Sequence, residues 1–152
     1  SGFEFTAATP AASVSQPWHI DAGVTILNAK RQGSIDASQN GLRPTNVPNW
    51  ILRLNGSYKI AAIPGLLLKA HLSHEGKRAV LPDNSIMLPA WTRLDLGASY
   101  EAHIGQTKTT WFLGVDNILN KTYYKESPYQ FSHSYLFPGA PRTMRVALQI
   151  AL

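Results

Sequence analysis

The sequence predicts an all-β fold, an antiparallel meander of about seven strands, and three observations support this prediction. Seven segments alternate apolar and polar residues, and a period of two is typical of a strand whose faces meet different surroundings. Short and long connections alternate along the chain, as in a meander with one trimmed rim. Few windows show the three-and-four apolar spacing of a helix, and Gly and β-branched residues interrupt them.

The first three predicted strands are GFEFTA, WHIDAGVTILNAK and NWILRLNGSYKI. A short connection over 9–17 joins the first two, and a long one over 31–46 leads to the third. The third strand carries Arg53 at one of its polar positions. The apolar positions share one face, which holds Phe3, Phe5, Ala7, Trp18, Ile20, Ala22, Val24, Ile26, Trp50, Leu52, Leu54, Tyr58 and Ile60.

The remaining predicted strands are GLLLKAHLSHEGK, TRLDLGASYEA, TKTTWFLGVDN and, at the end of the sequence, TMRVALQIAL. Their connections are short over 61–64 and 102–106, and long over 78–90 and 118–141. The last strand alternates most strictly. Its apolar positions are Met144, Val146, Leu148, Ile150 and Leu152.

The apolar face is predicted to contact lipid, so the sheet would belong to a transmembrane β-barrel. Barrels of the outer-membrane type have short turns on one rim and long loops on the other. The opposite face carries charges of both signs, which suit a polar lumen. Arg53, Arg93, Asp95 and Arg145 are therefore lumen-facing candidates, and the group of Asp95, Arg93 and Glu101 is expected to form lumen-facing ion pairs. Two alternatives stay open: a soluble β-sandwich that serves as a binding or adhesion module, and a passive outer-membrane porin.

Aromatic residues near the strand ends also favour a membrane, because barrel strands carry aromatic girdles at both interfaces. Trp50 and Tyr58 bracket one strand, Trp91 and Tyr100 another, and Trp18 begins a third. Trp91 does not share the parity of Tyr100. If both belong to the girdle, a bend or bulge is expected beside Trp91.

Composition excludes several other classes of function. The net charge of +5 comes without a long basic run, so nucleic-acid binding is not predicted. The sequence has no cysteine, which removes thiolate metal sites and Cys nucleophiles. His71 and His74 point to opposite faces of a strand, so no metal site is predicted there. No catalytic spacing appears, and the protein is predicted not to be an enzyme.

The segments GVDNILNKTYY and FPGAPRTMRVALQIAL give the sequence a resemblance to a known family. They resemble the C-terminal end of TonB-dependent outer-membrane receptors, particularly the siderophore receptors. That family has a strand ending in Val-x-Asn, a Leu-x-Asn/Asp-Lys-x-Tyr turn and a Gly-x-Pro-Arg motif before the last strand. The matching positions are Val115, Asn117, Leu119, Asn120, Lys121, Tyr123, Gly139, Pro141 and Arg142.

The resemblance implies a 22-stranded barrel of a Gram-negative outer membrane that imports ferric siderophores. Residues 1–152 would be the C-terminal part of that barrel, with its last seven strands, and the chain reads as a piece of a longer one. The plug, which contacts TonB, and the earlier strands would lie outside it. A ferric siderophore would be the transported ligand, and no cofactor is implied. The outer-membrane assembly machinery would recognise the terminal strand. Leu152 stands where the family usually has an aromatic residue.

The last long connection, NKTYYKESPYQFSHSYLFPG, is the candidate ligand-binding loop. Aromatic walls and cations in a vestibule would suit a planar, anionic iron chelate. The same aromatic residues could instead pack the loop on itself or line the membrane interface. The candidates are Tyr124, Tyr129, Phe131, His133 and Tyr135.

Overall fold

A computed structural model of the chain describes residues 1–13 and 15–151. It contains one short 3-10 helix, Ala37–Gln39, among its described residues. The strands in chain order are β1 (Gly2–Ala8), β2 (Trp18–Leu27), β3 (Trp50–Lys59), β4 (Leu66–Glu75), β5 (Arg78–Ala79), β6 (Met87–Leu88), β7 (Trp91–Ile104), β8 (Thr107–Asp116), β9 (Tyr124–Glu126), β10 (Tyr129–Gln130), β11 (His133–Ser134), β12 (Phe137–Pro138) and β13 (Thr143–Ala151).

The seven longest strands form one antiparallel sheet in the order β1-β2-β3-β4-β7-β8-β13. Each strand therefore pairs with the next long strand of the sequence, and the predicted meander is confirmed. The six short strands lie in the long connections and pair as three two-stranded hairpins. Among the described residues, no helix is long and apolar enough to cross a membrane.

The predicted alternation of connections is also confirmed. The strands of one rim are joined over 9–17, 60–65 and 105–106, and those of the other rim over 28–49, 76–90 and 117–142. We call the latter three the first, second and third long loops. β7 extends two residues beyond the predicted end, to Ile104, because Gly105 makes a two-residue hairpin with φ +63°.

Strand register brings the apolar positions onto one continuous face. Directly opposed residues of an antiparallel pair share a face, and rows of such residues cross the sheet. One row runs through Ala22, Leu54, Leu72 and Leu94. Leu113 opposes Val146 and Trp111 opposes Leu148, which joins the terminal strand to the same face.

The bulge expected beside Trp91 does not occur, and that expectation was wrong. β4 and β7 pair without interruption from Leu66 and Tyr100 to Glu75 and Trp91. Trp91 therefore lies on the polar face, where it is buried against Tyr123 with ring centroids 4.5 Å apart. Because the ladder is regular, residue 91 can face only the polar side of the sheet. There it packs with the third long loop.

The apolar face is a single uncovered layer in the described part of the chain. Large side chains are exposed on the outer strands, with Phe3 80% and Met144 78% accessible. In a sandwich, a second sheet would cover this face at about 10 Å. All seven long strands lie in one sheet instead, which does not favour the sandwich.

Buried apolar residues concentrate beside the long loops. Val80 and Leu88 belong to the second loop, Tyr123 to the third, and Trp91 begins β7 next to them. Ala79, in β5, is fully buried. The long loops therefore pack as a structured layer at one rim of the sheet.

The terminal strand offers a test of which face contacts lipid. Val146→Arg or Leu148→Arg in the full-length protein should lower the free energy of unfolding by about 2–4 kcal/mol if the site is near the bilayer midplane. Gln149→Arg, on the opposite face, should cost much less. Denaturant unfolding of the protein in lipid vesicles measures both changes, and equal costs would contradict the lipid-facing assignment of Met144, Val146, Leu148 and Ile150. Leu152, the fifth predicted member, lies outside the described residues.

Candidate functional site

The polar face of the sheet lines an open cavity of about 930 Å³, and we call this side the concave face. Polar side chains from β2 to β13 contribute to its wall, among them Asn55 and His71. Of the predicted lumen-facing residues, Asp95 and Arg145 line the cavity. Arg53 and Arg93 occupy positions of the same face, since both oppose Ser73 of β4.

The four predicted residues are held in ion pairs. Arg93 donates to Asp95 at 2.6 Å, as predicted, and Arg145 donates to Asp116 at 2.6 Å. Arg53 pairs with Glu75 at 2.5 Å. These pairs place both signs of charge on the concave face and neutralise them locally.

Glu101 does not join the ion pair of Arg93 with Asp95, so its expected place in that group was wrong. Glu101 pairs with Lys108 at 3.0 Å, across the β7–β8 hairpin. The two acidic residues are six positions apart on one extended strand, which separates them by roughly 20 Å. The sequence pattern placed them on the same face but could not bring them together.

A row of polar residues crosses four strands on the concave face. Asp21, Asn55, His71 and Asp95 oppose one another in successive pairs. Asn55 donates to Asp21 at 2.7 Å and accepts a hydrogen bond from Nδ1 of His71. Nε2 of His71 lies 2.7 Å from the Ser73 hydroxyl. Asp21, Asn55, His71 and Ser73 thus form one hydrogen-bonded network, and Asp95 pairs with Arg93 beside it.

Asn117 closes the base of the third long loop. It is fully buried with φ +50°, and its N–H donates to Asp95 at 2.7 Å. Its side-chain amide donates to the carbonyls of Lys121 and Ala140, at 2.9 and 3.0 Å. Its amide oxygen accepts the N–H of Lys121 at 2.9 Å. One asparagine therefore ties both ends of the loop to each other and to the concave face.

Tyr123 packs beside this base, and its position explains why residue 139 is a glycine. Its ring stacks on Trp91, and its carbonyl accepts the N–H of Gly139 at 2.8 Å. A Cβ at Gly139 would lie only 2.1 Å from the Tyr123 ring. Residue 139 must therefore be glycine for the ring to remain in place.

The candidate ligand-binding aromatics lie on two hairpins of the third loop. Tyr124 belongs to β9, which pairs with β12, while Tyr129 and His133 belong to β10 and β11. Phe131 lies at the tip of the second hairpin and is 88% exposed. Tyr135 follows that hairpin and is also exposed. Tyr123, which was not among the candidates, is the ring that packs inward.

The tip of that hairpin has an unusual backbone. Phe131 and Ser132 have φ of +50° and +63°. Two positive values in a two-residue turn suit the twist of a hairpin, but Asn and Gly normally occupy such positions. A bulky residue there is strained, and strained residues cluster at ligand clamps and other functional sites. The turn holds an apolar ring in solvent at the outermost point of the hairpin.

The first and second long loops are joined by side-chain hydrogen bonds. The Asn84 side chain accepts the N–H of Arg43 at 2.9 Å and donates to the Arg43 carbonyl at 3.0 Å. Arg31 donates to the carbonyl of Pro82 at 2.5 Å. Within the loops, hydrogen bonds from Ser38 lower the pKa of Asp36, and those from Ser85 lower the pKa of Asp83. These carboxylates therefore fix local turns as anions.

Sequence reasoning missed the residues that join the loops. Asn46, Asn84 and Ser127 belong to no motif, and their partners are distant in the chain. Asn117 was noted only as part of a motif. The available signal was an asparagine next to a turn, which tolerates positive φ. That signal does not specify the distant partner.

The chain is similar to known proteins over most of its length. Residues 1–118 match the family described as TonB dependent receptor-like, beta-barrel. The ferrichrome receptor FcuA of Yersinia enterocolitica is 29% identical over 129 residues, which are 85% of this chain and 17% of that receptor. The chain therefore spans less than a fifth of the length of this curated relative.

Two solved structures share the fold. The ferric preacinetobactin receptor BauA of Acinetobacter baumannii aligns with 98% of this chain and 26% of its own, at a TM-score of 0.76 and 20% identity. The siderophore receptor PiuA of the same species aligns with 97% of this chain and 21% of its own, at a TM-score of 0.76 and 23% identity. These similarities support the single curved sheet as a segment of a larger barrel.

Two asparagines allow a matched test of the loop base. Asn117→Gly keeps the positive φ but removes the buried side-chain hydrogen bonds, and it should cost about 1–3 kcal/mol in local stability. Asn120→Gly also replaces a residue at φ +50°, but its exposed side chain accepts one bond, from the N–H of Arg142. Amide hydrogen exchange over 118–142 should accelerate much more in the first variant. Equal acceleration would reject Asn117 as the closure of the loop.

Proposed function

Since the chain belongs to the TonB-dependent receptor family and matches its β-barrel, we propose that it is part of a receptor that imports ferric siderophores. The family match is the observation that carries this proposal. Residues 1–152 would form the C-terminal segment of a 22-stranded barrel. The protein is located in the outer membrane of a Gram-negative bacterium, as members of this family are.

The uncovered apolar face supports a barrel in lipid. Every backbone group inside a bilayer must be hydrogen-bonded, which only helices and closed barrels achieve. In the described sheet, β1 and β13 each pair along one side. The earlier strands of the receptor would pair with their free sides and close the barrel.

The ferric siderophore would bind on the rim of the long loops. The short connections of the opposite rim are distant from a ligand that enters from outside. The third loop supplies exposed rings on two short hairpins, including the strained Phe131. Ferrichrome is the first probe to test, because the curated relative is a ferrichrome receptor.

The polar concave face would surround the plug and the import path. Its ion pairs leave few isolated charges on the wall, so an anionic complex would pass without strong trapping. The plug would contact TonB, which supplies the energy for import. A porin lacks a plug and is less consistent with membership of this family.

The candidate aromatics of the third loop provide the test of ligand binding. Replacing Tyr124, Tyr129, Phe131, His133 and Tyr135 together with Ala or Ser should weaken siderophore binding at least about tenfold, or 1.4 kcal/mol. Single replacements should have small effects, since many contacts at a binding surface are individually near-neutral. Binding of radiolabelled ferrichrome and a panel of other ferric siderophores to whole cells measures the change.

The control for that variant replaces exposed polar residues of the same hairpin. Gln130→Ala and Ser134→Ala keep the β10–β11 pairing and should leave affinity unchanged. Surface display of each variant must be measured separately. Unchanged affinity of the aromatic variant at normal display would indicate that the plug or other loops recognise the siderophore.

Recognition of the terminal strand by the assembly machinery can be tested separately. Residues 149–151 pair with Lys108, Thr109 and Thr110 of β8. Deletion of residues 149–152 should abolish outer-membrane insertion, whereas Leu152→Phe should preserve or improve it. Heat-modifiable migration of the membrane fraction reports insertion. Normal insertion of the deletion variant would reject this role.

A further inference from the structure

We propose that Asn46 is a positioning residue that holds the middle of the third long loop against the first two. Its importance for ligand binding rests on the proposed function, but its structural effect does not. The contact joins residues 46 and 127, which are 81 positions apart. The three long loops thereby become one unit on the outer rim.

The side chain of Asn46 lies where the three loops meet. Its amide oxygen accepts the N–H of Ser127 at 2.7 Å, in the third loop. The same oxygen accepts a hydrogen bond from Arg78 of the second loop at 3.3 Å. The backbone N–H of Asn46 donates to the Ala79 carbonyl at 2.8 Å, and Thr45 forms a parallel bridge with Ala79.

The second-loop side of this junction is firmly anchored. Arg78 is 4% exposed and donates to Glu75, at the end of β4. Glu75 also accepts from Arg53 of β3 at 2.5 Å. Asn46 is therefore connected through Arg78 to the concave face of the sheet. These contacts fix the position of Asn46 independently of the third loop.

The third loop depends on this contact because Ser127 lies far from the loop base. Asn117 and Asn120 hold residues 117–121 and 140–142 together. Ser127 lies between β9 and β10, where the aromatic hairpins begin, and it is fully buried. Loss of its N–H partner would leave a buried donor unsatisfied. The loop would then be free to move away from Asn46, together with its exposed rings.

The backbone of Asn46 suggests a clean substitution. Its φ is +61°, which glycine adopts without strain. Asn46→Gly therefore removes the acceptor and keeps the backbone. Asn46→Asp retains an acceptor oxygen and also tolerates positive φ. Asn84→Gly is the matched control, because Asn84 also has a φ near +60° and its bonds between loops, in the described part of the chain, join the first loop to the second.

The experiment measures the distance between the second and third loops in the purified full-length receptor. Nitroxide labels are attached at Lys77→Cys and Gln130→Cys, two exposed positions of a chain segment without native cysteine. Any cysteine elsewhere in the receptor is replaced first. Pulsed electron resonance should give one narrow distance peak for the parent protein, Asn46→Asp and Asn84→Gly. Asn46→Gly should lose that peak.

The thermal stability of the barrel should change little in all variants, because the sheet itself is not altered. A narrow peak in Asn46→Gly, or equal broadening in Asn84→Gly and Asn46→Gly, would overturn the proposal. Loss of the peak in Asn46→Asp would do the same. No siderophore is added, so failure of ligand binding by the aromatic hairpins cannot produce any of these results.

Discussion

Unbroken antiparallel pairing is the constraint on which the rest of this structure depends. The ladders between the seven long strands run in register, so every second residue falls on the same face from β1 to β13. A shift by one residue would exchange the faces of a whole strand. Lipid-facing and lumen-facing chemistry are therefore set together, by backbone hydrogen bonds that a bilayer makes obligatory.

Because of the same constraint, the packed apolar core lies at the loops and not within the sheet. Within residues 1–13 and 15–151, the single sheet between lipid and lumen has no second layer to bury its side chains. The buried apolar residues lie beside the long loops, around Ala79, Leu88, Trp91 and Tyr123. Trp91 shows the connection most directly, because strand parity turns it to the concave side and Tyr123 then covers it. The end of a strand thus becomes the support of a loop.

Strand number, strand order and the alternation of connection lengths could be predicted because they follow from local period and spacing. The pairing of Arg93 with Asp95 was also accessible, since the two side chains are neighbours on one face. The partner of Glu101 could not be predicted, because a tight hairpin brings Lys108 diagonally across from it and that turn was placed too early. The contact between Asn46 and Ser127 was beyond reach, because hydrogen bonds between distant loops leave no periodic signal.

Asparagine side chains make several of the hydrogen bonds that hold the long loops together. Among the described residues, Asn46, Asn84, Asn117 and Asn120 have positive φ, and the side chain of each makes a hydrogen bond that joins separate parts of the chain. Glycine would allow the backbone but would supply no side-chain partner, and aspartate would lack the amide donor that Asn117 uses. Phe131 also has a positive φ, but its side chain has no polar atom to form such a hydrogen bond. Its ring is exposed to solvent. The asparagines thus serve the architecture of the loops, whereas the strained backbone at Phe131 holds an apolar ring in solvent.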